Sequence, residues 1–490
     1  MIEKVDKEIS KTKRRTLGVH LTSTDTFLSY IFPEIKNKLF DYLWVDLYAG
    51  EGNLILPILD FIPKSERTNF FENHIFLSDI QPEMVNRSIE NAEMYNIPRN
   101  IAERNIIVRD NLKDFPHFLN KKNLPIFHIT NPPYLYLGYI RKHKETEIHL
   151  HLFENENEGY QDLYQIAMIN DLRANLGNMI YIIPSNLLFG ASVSNKFRSD
   201  FLKFYRIIKM YIFETQIFEF TGTNICIGFF ERKKKPGKEI VKFEGVKVVK
   251  DDKVLNRNYI LKPEWKYRAG AEFDEFTKDF KSKDPLKVKY YLLNEDINHN
   301  KGNIEITVID TNFYTSNEYE RRILYVNEKL KNEVLSNVLY VRTVDTGSME
   351  GRAGLYTIKE DFNVDGIYVS KATYRTSPIQ IFLKPEFSIK DQMLLKDYFN
   401  LMLEYFREKL DSEFMTTYKY SEAEYTRKYL GLTQVRKLIE TFPIKQLNEE
   451  QKENLEKLIK SKQFDKMMEF LKALKQKKDK SNSSILTSWL

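Results

Sequence analysis

Cysteine is nearly absent from these 490 residues: Cys226 stands alone. A single thiol excludes an internal disulfide framework and a cysteine metal cluster, and it fits a reducing cytoplasm, the interior of a bacterial or archaeal cell. Long apolar runs are absent too. No stretch of eighteen apolar residues occurs, so no membrane span is expected. The first fifteen residues carry Lys4, Lys7, Lys11, Lys13, Arg14 and Arg15 with no apolar core, so no signal peptide is expected. Neither sign of charge dominates, with 75 Lys and Arg against 69 Asp and Glu. That mixing argues against one large disordered tail, and a net charge of +6 permits a polyanionic partner without requiring one. Histidines cluster only at His143, His149 and His151, in a polar stretch too loose for a closed zinc geometry, so no metal is expected. No internal repeat is visible.

What is present is 42% hydrophobic residues, enough for real cores, in a length that suggests two or three domains. The chain is organised around Asn131-Pro132-Pro133-Tyr134. An apolar stretch from Pro125 to Thr130 reads as a buried strand, and the two prolines stop it in a stiff turn. An amide, a rigid turn and an aromatic ring thus stand at the C-terminal end of a strand, the edge at which open α/β sheets bind ligands. The set suits a planar exocyclic amine, whose lone pair is delocalised into its ring. The Asn131 side-chain oxygen and the Pro132 carbonyl can each accept one of its N–H bonds. Two acceptors placed tetrahedrally draw the nitrogen towards sp³ and aim its lone pair out of the ring plane. Tyr134 offers a face for a base to stack on. Four residues alone also fit a plain Asn-Pro turn.

A second signal precedes them. Leu43-Trp44-Val45-Asp46-Leu47-Tyr48-Ala49-Gly50-Glu51-Gly52-Asn53 reads as an apolar strand followed by a glycine-containing turn, and Leu54 to Phe61 as a helix. Gly50 and Gly52 let backbone approach a ligand closely. A dinucleotide fingerprint would place a third glycine at position 55, where Ile55 stands, which argues against NAD. The turn resembles the glycine loop of class I S-adenosylmethionine (SAM) methyltransferases. With Asn-Pro-Pro-Tyr following it, the chain resembles DNA N6-adenine methyltransferases of the gamma arrangement, of restriction-modification type, over about residues 14 to 232.

The resemblance implies a Rossmann-like class I methyltransferase sheet closed by an antiparallel hairpin, expected from Ile207 to Phe213 and Ile225 to Phe230. It implies SAM as co-substrate, with Asp46, Tyr48, Ala49, Gly50 and Gly52 around its methionine part. Gly18 and Thr22 match a segment that closes over SAM, although Ser23 stands where proline is usual; His20 and Thr22 are carried over as cofactor contacts. Asp79, at the end of a second strand, can accept both ribose hydroxyls, and it also stands where a helix N-cap belongs. Ile80 would pack on the adenine of SAM, and Asp110 or Asn111 would receive its amine. Asn131, Pro132, Pro133 and Tyr134 would be catalytic, Asn131 also bordering the cofactor. Phe218, with Phe220 second, would pack against a flipped target base opposite Tyr134, and the polar stretch Arg141 to Gly159 reads as a mobile loop over that base.

Three regions follow: a catalytic domain (1–235), a mixed α+β target-recognition domain (240–445), and a charged C-terminal helix and tail (446–490). The Pro- and Gly-containing charged run Glu231 to Lys238 marks the first boundary. Arg342, Arg352 and Tyr374-Arg375 are candidates for base readout. The expected reaction is methyl transfer from SAM to N6 of an adenine flipped from duplex DNA, beside a possible companion restriction endonuclease. The same core would also serve an RNA adenine or protein glutamine methyltransferase, and a catalytically inactive DNA-binding module is the non-enzyme alternative.

Overall fold

The computed structural model describes residues 22–121, 123–190, 192–215, 224–249, 253–346, 348, 350–373, 376–419 and 427–486. They fall into two compact units: one runs to Ala269 and also takes Lys419, the other comprises Gly270–Tyr418 and the residues from Arg427 onward.

The first unit is built on one nine-stranded sheet. Its strands are β1 (Leu43–Asp46), β2 (Ile75–Asp79), β3 (Ile106–Val108), β4 (Ile126–Thr130), β5 (Asn178–Pro184), β6 (Tyr205–Phe213), β7 (Ile225–Arg232), β8 (Val241–Val248) and β9 (Val254–Leu261). The order is β3-β2-β1-β4-β5-β7-β6-β8-β9. Strands β1 to β5 are mutually parallel, and β7 enters antiparallel between β5 and β6. This is the expected Rossmann-like sheet with its antiparallel hairpin. Because strands β1, β2, β4 and β5 are covered on both faces, they read as continuous apolar runs. Alternate residues serve opposite cores: Leu43 and Val45 join Leu163, Ile166 and Met179 on one face, while Trp44 joins Phe70, Phe71 and Ile89 on the other. The direction of the chain order reverses between β1 and β4, which opens a crevice at their C-terminal ends.

The boundary expected after residue 235 falls inside this sheet. Strand β8 pairs in parallel with β6, from Lys209↔Glu244 to Phe213↔Val248, and β9 adds antiparallel to β8. The charged run that resembles a linker is a loop fixed to the unit: Lys233 N–H donates to Phe204 O at 2.7 Å and Gly237 N–H to Lys203 O at 2.9 Å. The Arg141 to Gly159 stretch is wound into helical turns, including a 3-10 segment at Lys144–Phe153 that buries Leu152 and Phe153.

The second unit is mixed α+β. One sheet orders Lys287–Tyr290, Ile379–Lys384, Leu339–Arg342 and Gly354–Thr357; another orders Leu292–Leu293, Gly366–Val369, Lys301–Thr315 and Glu318–Val326. The long amphipathic helix Ile389–Leu410 buries Leu395, Tyr398, Phe399 and Met402 in its core. The charged stretch from 449 onward forms two helices, Glu449–Lys460 and Phe464–Leu486, broken where Lys462 takes φ +51°. Their apolar stripe (Leu455, Ile459, Met467) is part of that same core, so residues 446 onward do not stand apart from it.

Candidate active site

Four strand ends meet at the crevice, and each delivers a side chain that the sequence singles out. From β1 come Asp46, Tyr48, Ala49 and Gly50; from β2, Asp79 and Ile80; from β3, Asp110 and Asn111; from β4, Asn131 and Pro133. Thr22 closes the same cleft, which encloses about 800 Å³ of empty space including its open mouth.

The glycine turn is shaped by backbone and carboxylate together. Gly50 and Gly52 sit at φ +54° and +83°. A Cβ on Gly52 would stand 2.6 Å from Leu56 Cδ1 and 2.8 Å from Ser88 Oγ, so Gly52 serves the packing beneath the turn and does not line the cleft. Gly50 N–H donates to Asp79 Oδ2 at 2.9 Å, and Gln81 N–H to Asp79 Oδ1 at 2.9 Å. Asp79 therefore ties β2 to the glycine turn and shapes the approach to helix Pro82–Met94, whose N-cap is Gln81. Each of its oxygens keeps a further lone pair. Burial raises its pKa. Asp46 is buried, with Oδ1 accepting from Tyr48 N–H (3.0 Å) and Thr130 Oγ1 (2.6 Å), and burial pushes its pKa up to about 6. Ile80 is half exposed, an apolar platform beside Asp79.

The cleft is acidic. Asp46, Glu51, Asp79 and Asp110 line it against Arg109 and His149, and Arg109 already pairs with Asp114 at 3.1 Å. A pyrophosphate would face repulsion here, whereas a cationic ligand with a donating diol and a flat heterocycle suits the acceptor-rich lining.

Asn131 borders the cleft from β4. Its Nδ2 donates to Thr22 Oγ1 at 2.9 Å, and Asn53 Nδ2, from the glycine turn, donates to Thr22 O at 3.1 Å. The Tyr134 hydroxyl donates to Ile182 O at 2.7 Å and also meets Asn131 Oδ1. Its burial raises the phenol pKa well above the ordinary value. The turn is held from behind by Asp162, whose Oδ1 accepts Leu135 N–H at 3.0 Å; burial pushes that carboxyl up to about 7. Pro132 is buried, and neither it nor Tyr134 lines the cleft. His20, Phe218 and Phe220 lie outside the described residues, as do Tyr374 and Arg375. Arg342 and Arg352 are engaged within the second unit: Arg342 stacks over Tyr356 at 4.6 Å, and Arg352 pairs with Glu404.

Glu51 and Asn53, within the glycine turn but given no role of their own, also line the cleft, as do Gln81 and, from the polar stretch, His149. Asn111 lines it, yet its Nδ2 donates to Leu47 O (2.6 Å) and Ser78 Oγ (3.0 Å), which are framework bonds. His128, a polar residue inside an apolar strand, was visible in the sequence but carried no assignment.

A parallel sheet reversing at β1 and β4, a glycine turn under an acidic cleft, and an Asn-Pro-Pro-Tyr edge define a Rossmann-like protein of the class I methyltransferase type. The chain belongs to the N-6 DNA Methylase family, whose model matches residues 40–316. Among solved structures it is similar to the type IIL restriction-modification enzyme MmeI in complex with DNA, at 14% identity and a TM-score of 0.50, covering 91% of this chain and 71% of that one. It also matches the DrdV–DNA complex at 13% identity and TM-score 0.38 (52% and 31% covered). The type I restriction enzyme EcoKI M protein matches at 15% identity and TM-score 0.30 (45% and 48%). The chain thus spans about a third of the DrdV chain and about half of the EcoKI M protein. No curated protein matches it by sequence. Among the described residues, no helix is long and apolar enough to cross a membrane, and no group of three His, Cys, Asp or Glu is placed to hold a metal.

Proposed function

We propose that this protein is a DNA methyltransferase that transfers a methyl group from SAM to N6 of an adenine flipped out of the duplex. The observation that carries the reading is the placement of Asn131 and Pro133 on the wall of the same cleft that Gly50, Asp46 and Asp79 line. An amine acceptor and a site suited to a cationic cofactor are therefore adjacent, as in-line transfer requires.

SAM, when bound, supplies a methyl electrophile on a sulfonium. Asp79 offers its remaining lone pairs to a ribose diol, Ile80 its apolar face to an adenine, and the acidic lining favours the positive charge. Asn131 Oδ1 and the Pro132 carbonyl accept hydrogen bonds from the two N6 N–H groups and localise the lone pair, and Tyr134, which lies outside the cofactor cleft, is assigned to the base. Thr22 at Nδ2 and the Tyr134 hydroxyl at Oδ1 together orient the Asn131 amide. Once N6 carries the methyl group its extra proton is acidic and leaves to solvent, so no buried base is needed. Selection of the DNA site is assigned to the second unit.

The experiment is modification-sensitive sequencing of plasmid DNA from cells expressing the chain, beside an Asn131→Ala control. N6-methyladenine in one short motif, absent in the control, is the expected result. Undiminished methylation by Asn131→Ala refutes the assignment of Asn131. Unmodified DNA from a well-expressed, SAM-binding protein moves the substrate to RNA or protein.

A further inference from the structure

At Leu47 the β1 ladder has ended and the glycine turn has not begun, yet both of its backbone polar groups are held. Leu47 N–H donates to His128 Nε2 at 3.2 Å, and Leu47 O accepts from Asn111 Nδ2 at 2.6 Å. The two clamping side chains come from opposite sides of β1, one from β4 and one from the turn after β3. Behind His128 the bonding continues. An imidazole that accepts at Nε2 carries its proton on Nδ1, and that nitrogen meets Asp171 Oδ2 at 2.5 Å. Tyr181, on β5, donates its hydroxyl to the same oxygen at 2.6 Å. His128, Asp171 and Tyr181 are all fully buried, and none lines the cleft. The ring of Tyr48, which does line it, lies over His128 at 6.3 Å and 29°.

A buried histidine tied to a carboxylate usually signals catalysis, but here it touches no ligand-facing surface. What it touches is the peptide that decides where Tyr48 and the glycine turn go. Asp171 fixes the tautomer, the tautomer makes Nε2 an acceptor, and the acceptor holds Leu47. The alternative tautomer would set two N–H groups against each other.

We propose that His128, oriented by Asp171 and acting with Asn111, is a positioning residue for the cofactor cleft: it sets the Leu47–Tyr48 turn without touching the cofactor. The inference rests on the reading of the cleft as a SAM site. It assigns part of the cofactor affinity to the strand that also ends in Asn131, so the two halves of the site share one framework.

The test compares full-length wild type with His128→Leu, His128→Gln and Asn111→Ala, measuring SAM and S-adenosylhomocysteine affinity by calorimetry, KM for SAM, and the melting temperature. Gln keeps an acceptor at the reach of Nε2; Leu does not. Both His128 variants deprive Asp171 of its imidazole and are expected to melt earlier by similar amounts. Affinity separates them: His128→Leu binds SAM about tenfold more weakly or worse, as expected for a buried N–H left unpaired, and His128→Gln stays close to wild type. KM for SAM rises in His128→Leu while kcat at saturating SAM changes little. Asn111→Ala, which leaves the β4 core untouched, weakens SAM binding as well, but Asn111 itself lines the cleft, so if His128→Leu does not fold it is His128→Ala that is compared with His128→Gln. Wild-type affinity in both His128→Leu and Asn111→Ala, or equal loss in His128→Leu and His128→Gln, overturns the proposal. A wild-type chain that binds no SAM overturns the methyltransferase reading itself, and the inference with it.

Discussion

Asn131 Nδ2 donates to Thr22 Oγ1 at 2.9 Å, joining residues 109 positions apart in the chain. Thr22 O is held in turn by Asn53 Nδ2 of the glycine turn. Thr22 was expected as a cofactor contact. It lines the cleft, but its hydroxyl and carbonyl both face protein amides, one from the cofactor side and one from the catalytic side. Thr22 is a strut between the two.

Replacing Thr22 by Val keeps the shape of the side chain and removes the acceptor. The Asn131 amide then loses the partner on its Nδ2 side and is held only from the Oδ1 side, where the Tyr134 hydroxyl meets it. Single-turnover methylation by Thr22→Val is expected to fall about tenfold, the size of one lost buried hydrogen bond, with SAM affinity reduced much less. In an Asn131→Ala background the same substitution has little left to remove, so the double variant falls short of the sum of the singles. Additive losses would mean that Thr22 acts on the cofactor directly.

The acidic cleft makes binding of a cationic cofactor pH-dependent. Burial holds the Asp46 carboxyl at about 6. A positive ligand prefers the ionised form, so SAM binds most tightly above that value and weakens as the pH falls through it. Asp46→Asn is expected to bind SAM more weakly at pH 8 and to show a flatter profile between pH 5 and 8, measured by calorimetry. A profile as steep as that of wild type would transfer the dependence to Asp79 or another carboxylate.

Gly52 takes φ +83° over Leu56 and Ser88. Gly52→Ala meets both a disfavoured backbone region and a contact that must give way. The expected loss is about 1–3 kcal/mol in denaturant unfolding. Because Gly52 does not line the cleft, SAM protects the variant from unfolding as it protects wild type. A loss of affinity with no loss of stability would place Gly52 on the ligand side of the turn.

Much of the catalytic unit is legible because its signals are local. Strands β1, β2, β4 and β5 are short apolar runs ended by Gly, Asp or Pro, and the motifs stand directly at their ends, so Asp46, Gly50, Asp79 and Asn131 converge as their spacing suggests. What was not legible depends on partners far away in sequence. Nothing in Glu231 to Lys238 distinguishes a linker from a loop; only the pairing of β8 with β6 keeps the chain in the same sheet through β9. The single charged helix expected within 446–490 breaks at Lys462 because its stripe turns to follow one core. His128 looked like an ordinary strand residue because Leu47, Asp171 and Tyr181 reach it from three other elements.

Asp162 braces the catalytic turn through Leu135 N–H, and its buried carboxyl titrates near 7. An unfolded aspartate titrates near 3.9. The folded state therefore binds this proton more tightly than the unfolded state does. The resulting stability is full below about pH 4 and is lost as the pH rises towards 7. Asp162→Asn keeps an acceptor for Leu135 but cannot ionise. Its melting temperature, relative to wild type, is expected to rise steadily from pH 4 to pH 8. Asp46 contributes the same sign in both proteins, so the difference isolates Asp162. If the two melting curves run parallel across that range, Asp162 is ionised throughout and its brace is a charged one. Asp162→Ala then loosens the turn in either case, lowering turnover while SAM still binds.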